Sequence, residues 1–331
     1  KTIGCDNDFK PIIFHQGNLY LNKYHRAEER VAQFIKLRMN TKQEIAPSLA
    51  LRLNEIFTPQ KGYAVQIPDW QKAAAFMALK SQFCVISGGP GTGKTTTVGK
   101  ILALLLEQDK ELQIDLVAPT GKAADRLGES IRATKANIAT LVSKEILELI
   151  PESASTIHRF LGYHGGSKKF AFNAKKKKET QVLLVDEASM VDLPMFRCLT
   201  EALKDNCRVI LLGDKDQLTA VETGNVLGDL TASKQINSFS SHFCSEYAAI
   251  TEQDFDYQNL EPAPLDDCVI KLEISPRFNA QSSIGRLAKL INDCDQETPA
   301  DQFNELFEQE KGKGERERRE RKKKEKEEDS D

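Results

Sequence analysis

The sequence predicts an α/β domain in which a parallel sheet is covered by helices on both faces. Three observations carry this expectation. From residue 83 onward, short apolar runs alternate with segments of helical spacing, at 83–87, 95–107, 113–118, 121–133, 181–185, 192–204 and 207–212. Runs such as Val182-Leu183-Leu184-Val185 and Val209-Ile210-Leu211-Leu212 are almost continuously apolar, as strands buried on both faces are. The first run, Phe83-Cys84-Val85-Ile86, leads directly into Gly88-Gly89-Pro90-Gly91-Thr92-Gly93-Lys94-Thr95, the pattern of a phosphate-binding loop (P-loop) closed between a strand and a helix.

Residues 1–60 precede this alternation and read as a small N-terminal accessory element. Leu19-Tyr20-Leu21 has the look of a short strand, and Tyr24 to Arg38 places Val31, Phe34 and Ile35 at helical spacing. Pro68-Asp69-Trp70 opens the next helix, with Asp69 as N-cap and Trp70, Ala73, Ala74, Met77 and Ala78 on one face. Residues 61–292 form the expected nucleotide domain. Within it, 231–265 is mixed in Ser, Asn, Asp and Pro and reads as an irregular insertion, 269–274 as a strand, and Ile284 to Ile291 as a helix. Residues 293–331 end in a charged tail. From Glu308 onward basic and acidic residues occur in equal number without an apolar side chain, so the tail is expected to be disordered or at most a solvated helix.

With 331 residues and 40% hydrophobic content, the chain has room for a sizeable core. Lys+Arg 46 against Asp+Glu 49 gives a net charge of -3, so any basic groove has to be local. No apolar run approaches the roughly 18 residues of a membrane span. The N-terminus, Lys1-Thr2-Ile3-Gly4, has no signal-peptide core and no initiating Met, and the chain reads as a piece of a longer, cytoplasmic protein. Its 7 cysteines lack C-x-x-C spacing and read as reduced core fillers, with no metal expected on them.

The chemistry starts at the loop. A triphosphate is held by several backbone N–H groups aimed inward from one tight turn. Gly88, Gly91 and Gly93 allow that conformation and the close approach it needs. Lys94 reaches the β- and γ-phosphates, the Thr95 hydroxyl ligates Mg²⁺, and the helix beginning at Thr95 and Thr96 turns its positive end to the anion. A Gly-rich loop alone can be a plain turn; strand, loop, Lys-Thr and helix in this order argue for ATP or GTP. The run Val182-Leu183-Leu184-Val185-Asp186-Glu187 then sets two carboxylates at a strand's C-terminal end, where α/β sites lie. Asp186 is expected to hold the Mg²⁺ and Glu187 to activate the attacking water, against the plainer reading that an acidic pair starts a helix. Val209-Ile210-Leu211-Leu212-Gly213-Asp214-Lys215-Asp216-Gln217 ends a third strand, with Gln217 placed to sense the γ-phosphate and Asp214 to anchor the loop. Gln71, on the helix before the first strand, offers a donor and an acceptor that match the N6 and N7 edge of adenine, which prefers ATP; otherwise it is a surface glutamine.

These residues, together with Asp69-Trp70-Gln71-Lys72, Ala118-Pro119-Thr120-Gly121-Lys122-Ala123-Ala124, Ser155-Thr156-Ile157-His158-Arg159-Phe160-Leu161-Gly162 and Leu184-Val185-Asp186-Glu187-Ala188-Ser189-Met190-Val191-Asp192, resemble superfamily 1 DNA helicases, most closely the RecD type, the alpha subunit of exonuclease V. The resemblance covers roughly residues 60–292, and more loosely 10–40. It implies a RecA-like P-loop lobe and an ATP-driven translocase moving 5′ to 3′ on single-stranded DNA in double-strand-break repair and recombination. It also implies RecB- and RecC-like partner subunits and a bacterial, nucleoid-associated location. It assigns DNA contacts to Thr120, Gly121, Lys122, Arg126, His158 and Arg159, whose donors and close backbone suit phosphates. Phe160 is the residue expected to pack. Lys175 to Lys178 either add phosphate contacts or are simply solvated.

The chain departs from the family pattern in three places. Leu218-Thr219-Ala220-Val221-Glu222-Thr223-Gly224 stands where the family has Leu-Pro-Ser-Val-Gly-Ala-Gly. Ser275-Pro276-Arg277-Phe278 stands for Ser-Tyr-Arg-Phe, with Arg277 expected to reach the γ-phosphate. Most of a second motor lobe, with its further arginine, is not recognisable. An arginine finger is worth roughly 10³–10⁵ in rate, so this polypeptide alone is expected to be a weak ATPase. The alternative is a nucleotide-responsive DNA-binding or assembly subunit without productive motor activity. A small-molecule kinase would leave the Ala118–Ala124 segment unexplained.

Overall fold

The computed structural model describes residues 3–4, 9–58, 68–165, 169–214, 217, 223–232, 237–253, 255–259, 263 and 265–273. All lie within one compact unit, Lys1–Glu273. The expected helix at 284–291, the tail and Arg277 fall outside the described residues.

The chain opens with β1 (Ile3–Gly4), β2 (Ile12–His15) and β3 (Asn18–Leu21), which form a small sheet of their own, followed by helices α1 (Asn22–Met39) and α2 (Pro47–Ile56). Helix α3 (Trp70–Lys80) starts as its sequence predicts, for Asp69 caps it by accepting from the backbone N–H groups of Gln71 and Lys72. Then come β4 (Phe83–Gly88), α4 (Lys94–Gln108), β5 (Ile114–Ala118), α5 (Gly121–Ile138), α6 (Lys144–Leu149), β6 (Ser155–Thr156) and α7 (Ile157–Phe160). A hairpin of β7 (Tyr163–His164) and β8 (Lys169–Phe170) precedes β9 (Val182–Val185), α8 (Leu193–Glu201) and β10 (Arg208–Gly213). The described chain closes with α9 (Val226–Leu230), α10 (Ser241–Thr251) and β11 (Val269–Leu272).

Six strands form one sheet in the order β11-β4-β10-β9-β5-β6, and every pairing in it is parallel. Alternate residues of each strand feed opposite faces, as the pleat requires. Cys84, Ile86, Leu184, Ile210 and Leu212 join one apolar core with α2, α3, α4, α5 and α10. Phe83, Val85, Leu183, Val185, Val209 and Leu211 join another with α1, α7, α8 and α9. This is the P-loop NTPase architecture, a doubly covered parallel α/β sheet.

Two parts of the organisation differ from the sequence expectation. Helices α1 and α2 do not stand apart: Ala27, Val31 and Ile35 of α1 line one core, and Leu53 and Ile56 of α2 line the other. Arg38 fastens α1 further. It is 1% exposed, lies 3.4 Å over the ring of Phe34, and donates to the carbonyls of Lys204 (2.6 Å) and Cys207 (3.0 Å). Burial draws its pKa down to about 10. The second difference is within 231–265, where Ser241–Thr251 is a regular helix rather than irregular chain, capped by Ser240. Its Phe243 and Tyr247 meet Phe76 edge-on at 5.0 and 5.4 Å, and Lys80 pairs with Glu246. Ser241, His242 and Ser245 of the helix are exposed while Phe243, Cys244 and Tyr247 are buried, so the polar composition hides the buried stripe. Cys84, Cys198, Cys207, Cys244 and Cys268 are free thiols, mostly buried, as expected. Among the described residues no helix is long and apolar enough to cross a membrane.

Candidate active site

The phosphate loop sits at the C-terminal end of β4, and α4 begins at Lys94. Gly91 (φ 78) and Gly93 (φ 87) occupy the left-handed region, which is where glycine is needed. At Gly88 the limit is space: a Cβ there would lie 2.9 Å from the Leu272 carbonyl oxygen and 2.7 Å from Thr92 Oγ1. The Thr92 hydroxyl donates to the Gly89 carbonyl at 2.9 Å, which holds the loop closed. Lys94 Nζ donates to the carbonyls of Gly88 and, at 3.1 Å, Gly89. Gln71 approaches the same loop, its Nε2 donating to the Thr92 carbonyl at 3.1 Å. Thr95 and Thr96, half-buried, occupy the first turn of α4, and Pro90 lies exposed at the loop's tip.

Strands β4, β10 and β9 run side by side and parallel, so Gly88, Gly213 and Val185 finish at one edge of the sheet. Asp186 and Glu187 follow β9, and Asp214 follows β10. The backbone N–H of Glu187 donates to Asp186 Oδ1 at 2.9 Å. Glu187 itself has φ 49, a left-handed conformation that a non-glycine side chain adopts only under constraint. Burial raises the pKa of Asp186 to about 6; the neighbouring Glu187 carboxylate adds to the rise, while the Glu187 N–H and Lys94 oppose it. Burial also lowers the pKa of Lys94, against the opposing pull of Asp214, Asp186 and Glu187. These mutual effects bring the loop lysine and the three carboxylates into one electrostatic neighbourhood. Gln217, exposed, donates through Nε2 to Asp214 Oδ2 at 3.2 Å, so Asp214 anchors the turn as its sequence position suggests.

Among the described residues no group of three or more His, Cys, Asp or Glu side chains is arranged to hold a metal by itself. Thr95, in the first turn of α4, and Asp186, after β9, carry the oxygens that could reach a cation beside bound phosphates.

The expected DNA-facing segments share the same rim. Val117 and Ala118 of β5 pair with Ser155 and Thr156 of β6, so the chains leaving both strands start side by side. Thr120 caps α5, its hydroxyl accepting from the Ala123 N–H at 3.2 Å, and Thr156 caps α7 from the Arg159 N–H at 3.2 Å. Gly121, Lys122, Arg126, His158 and Arg159 are exposed, while Phe160 is buried and packs. The lysines after it divide: Lys177 pairs with Asp205 at 2.9 Å, and Lys178 lies over the rings of Phe160 and Phe172. Sequence spacing gives no sign that Tyr163 and Phe170 join His158 in a ring cluster, because only the β7–β8 pairing brings them together.

A family model described as an AAA domain matches residues 71–223. The "RecBCD enzyme subunit RecD" of Haemophilus influenzae is 40% identical over 312 residues, 91% of this chain and 47% of that protein. The chain is RecD-like. A RecD subunit of the same name from Mycobacterium tuberculosis is 39% identical to the RecD-like chain over 64% of its length and 35% of the relative's. The "ATP-dependent RecD2 DNA helicase" of Deinococcus radiodurans is 34% identical over 63% of this chain and 25% of that protein. The RecD-like chain thus spans less than half the length of these curated relatives.

Proposed function

We propose that this chain carries the ATP-hydrolysing lobe, residues 61–292, of a 5′-to-3′ DNA translocase that works in double-strand-break repair and recombination. One observation supports the reading most: β4, β10 and β9 end together, so the loop of Lys94, Asp214 and the Asp186-Glu187 pair leave the same end of the sheet, beside the rim that bears Thr120–Arg126 and Thr156–Arg159. In this reading Gly88 through Thr96 cradle the phosphates and Gln71 reads adenine with its free carbonyl and remaining N–H. Thr95 and Asp186 hold Mg²⁺, which supplies charge neutralisation on the phosphates. Glu187 orients and deprotonates the attacking water, and Gln217 and Arg277 read the γ-phosphate. Thr120, Gly121, Lys122, Arg126, His158 and Arg159 hold single-stranded DNA. RecB- and RecC-like chains are the proposed partners, and the bacterial cytoplasm at the nucleoid is the proposed location.

The test is ATP turnover with and without oligo-dT across a salt series. Turnover should be weak and DNA-stimulated, and the stimulation should fall as salt rises. Lys94→Ala and Glu187→Gln should both abolish it, while nucleotide binding survives only in Glu187→Gln. ATP binding with no response to DNA would replace the motor reading with that of a nucleotide-responsive binding module.

A further inference from the structure

The chain leaves α7 through Gly162, whose φ of 67 turns it into the β7–β8 hairpin. Two backbone bonds close the hairpin's base, Ala171 N–H to the Gly162 carbonyl and Phe172 N–H to the Leu161 carbonyl, each at 3.1 Å. Three rings then face inward. Phe160, Phe170 and Phe172 pack on the sheet's core, and Lys178 Nζ covers Phe160 and Phe172 at 4.6 and 4.5 Å. Two rings stay outside. His158 is exposed and Tyr163 is 43% exposed; their centroids are 5.6 Å apart and their planes stand at 88°. Phe170 backs both, at 5.9 and 5.7 Å. The result is an open right-angled corner of two rings, supported from behind by a third that is itself anchored.

The chain that builds the corner is one-signed. From Ser155 to Lys178 the sequence contains no acidic residue; Arg159 directly follows His158, and Lys169, Lys175 and Lys176 are exposed on the same stretch of chain. An aromatic surface inside a cationic field suits a ligand that carries flat rings on an anionic chain. A base within a duplex has both faces covered by its neighbours, so only an unpaired strand can offer a free face.

We propose that His158 and Tyr163 form a stacking corner for one base of single-stranded DNA, with Arg159 holding an adjacent phosphate. This rests on the DNA-binding reading above and adds Tyr163 to it. The corner contributes affinity through ring area, independent of base identity, while the salt dependence of binding resides in Arg159 and its neighbours.

The experiment uses the full 331-residue chain and fluorescently labelled oligo-dT, alongside a matched strand whose central sugars carry no bases. The parent should bind oligo-dT more tightly than the abasic strand. Tyr163→Ala should lose about tenfold on oligo-dT, with the slope of affinity against salt unchanged, and should match the parent on the abasic strand. Tyr163→Phe should bind as the parent does. Arg159→Ala should instead reduce the salt slope by about one. Circular dichroism confirms that the variants fold. If Tyr163→Ala binds oligo-dT like the parent, or loses equally on both strands, the stacking corner is wrong while the DNA-binding reading stands. If the parent binds neither strand but still binds ATP, the DNA-binding reading fails first and takes the corner with it.

Discussion

The side-chain amide of Gln71 donates to the backbone carbonyl of Thr92 at 3.1 Å, joining the start of α3 to the phosphate loop. The bond uses one of the two amide hydrogens and neither lone pair of Oε1. Gln71 braces the loop, and under the proposed function it has a second task, to read adenine with the groups that remain.

The two tasks separate by substitution. Gln71→Ala should weaken ATP binding by about tenfold and erase the preference for ATP over GTP, since one good bidentate base contact is worth about 1–3 kcal/mol. Gln71→Glu should be worse than alanine, because a carboxylate would face the Thr92 carbonyl. Titration with fluorescent ATP and GTP analogues measures both. Retained discrimination in Gln71→Ala would remove the base-reading role.

Asp186 makes folding depend on pH. Burial holds its carboxyl at about 6 in the folded chain, against about 4 when unfolded. Below pH 4 it is neutral in both states and costs nothing. As pH rises through 6 it ionises in the fold as well, and the full cost of a buried charge develops. Asp186→Asn should therefore stabilise the nucleotide-free protein at pH 8 by on the order of 2–3 kcal/mol, with the gain shrinking toward pH 4.5. Urea unfolding in metal-free buffer across this range tests it. A gain independent of pH would show that ionisation is not the cause.

Arg38→Met keeps the bulk of the side chain but removes the guanidinium that donates to the Lys204 and Cys207 carbonyls, leaving Lys204 with its bond from the Cys207 N–H. The expected loss is about 2–4 kcal/mol. Arg38→Lys should not restore it, since an ammonium cannot reproduce the fork that serves both carbonyls. Both carbonyls precede β10, at the end of the sheet away from the phosphate loop, so ATP affinity should be unchanged while the urea midpoint falls.

The parallel sheet was legible because its strands are buried twice and leave unbroken apolar runs. The loop at Gly88–Thr95 and the pair at Asp186–Glu187 were legible because their chemistry needs particular residues in contiguous order. What escaped depends on contacts between distant segments. Nothing local in Tyr24–Arg38 says that Arg38 will reach past α8 to two carbonyls, and nothing in the polar stretch around Ser241 says that Phe243 and Tyr247 will close over Phe76. Tyr163 and Phe170 become neighbours only through the cross-strand register of the hairpin. The left-handed backbone at Glu187 is likewise invisible in a residue type that usually avoids it.

Strand β10 lies between β4 and β9. Neighbouring strands are about 4.8 Å apart, so the carbon backbones that end in the lysine loop and in the acidic tip stand roughly 10 Å from each other. The middle strand works as a spacer of set width between a cationic jaw and an anionic jaw, and a bend in that one strand would change the bite of both.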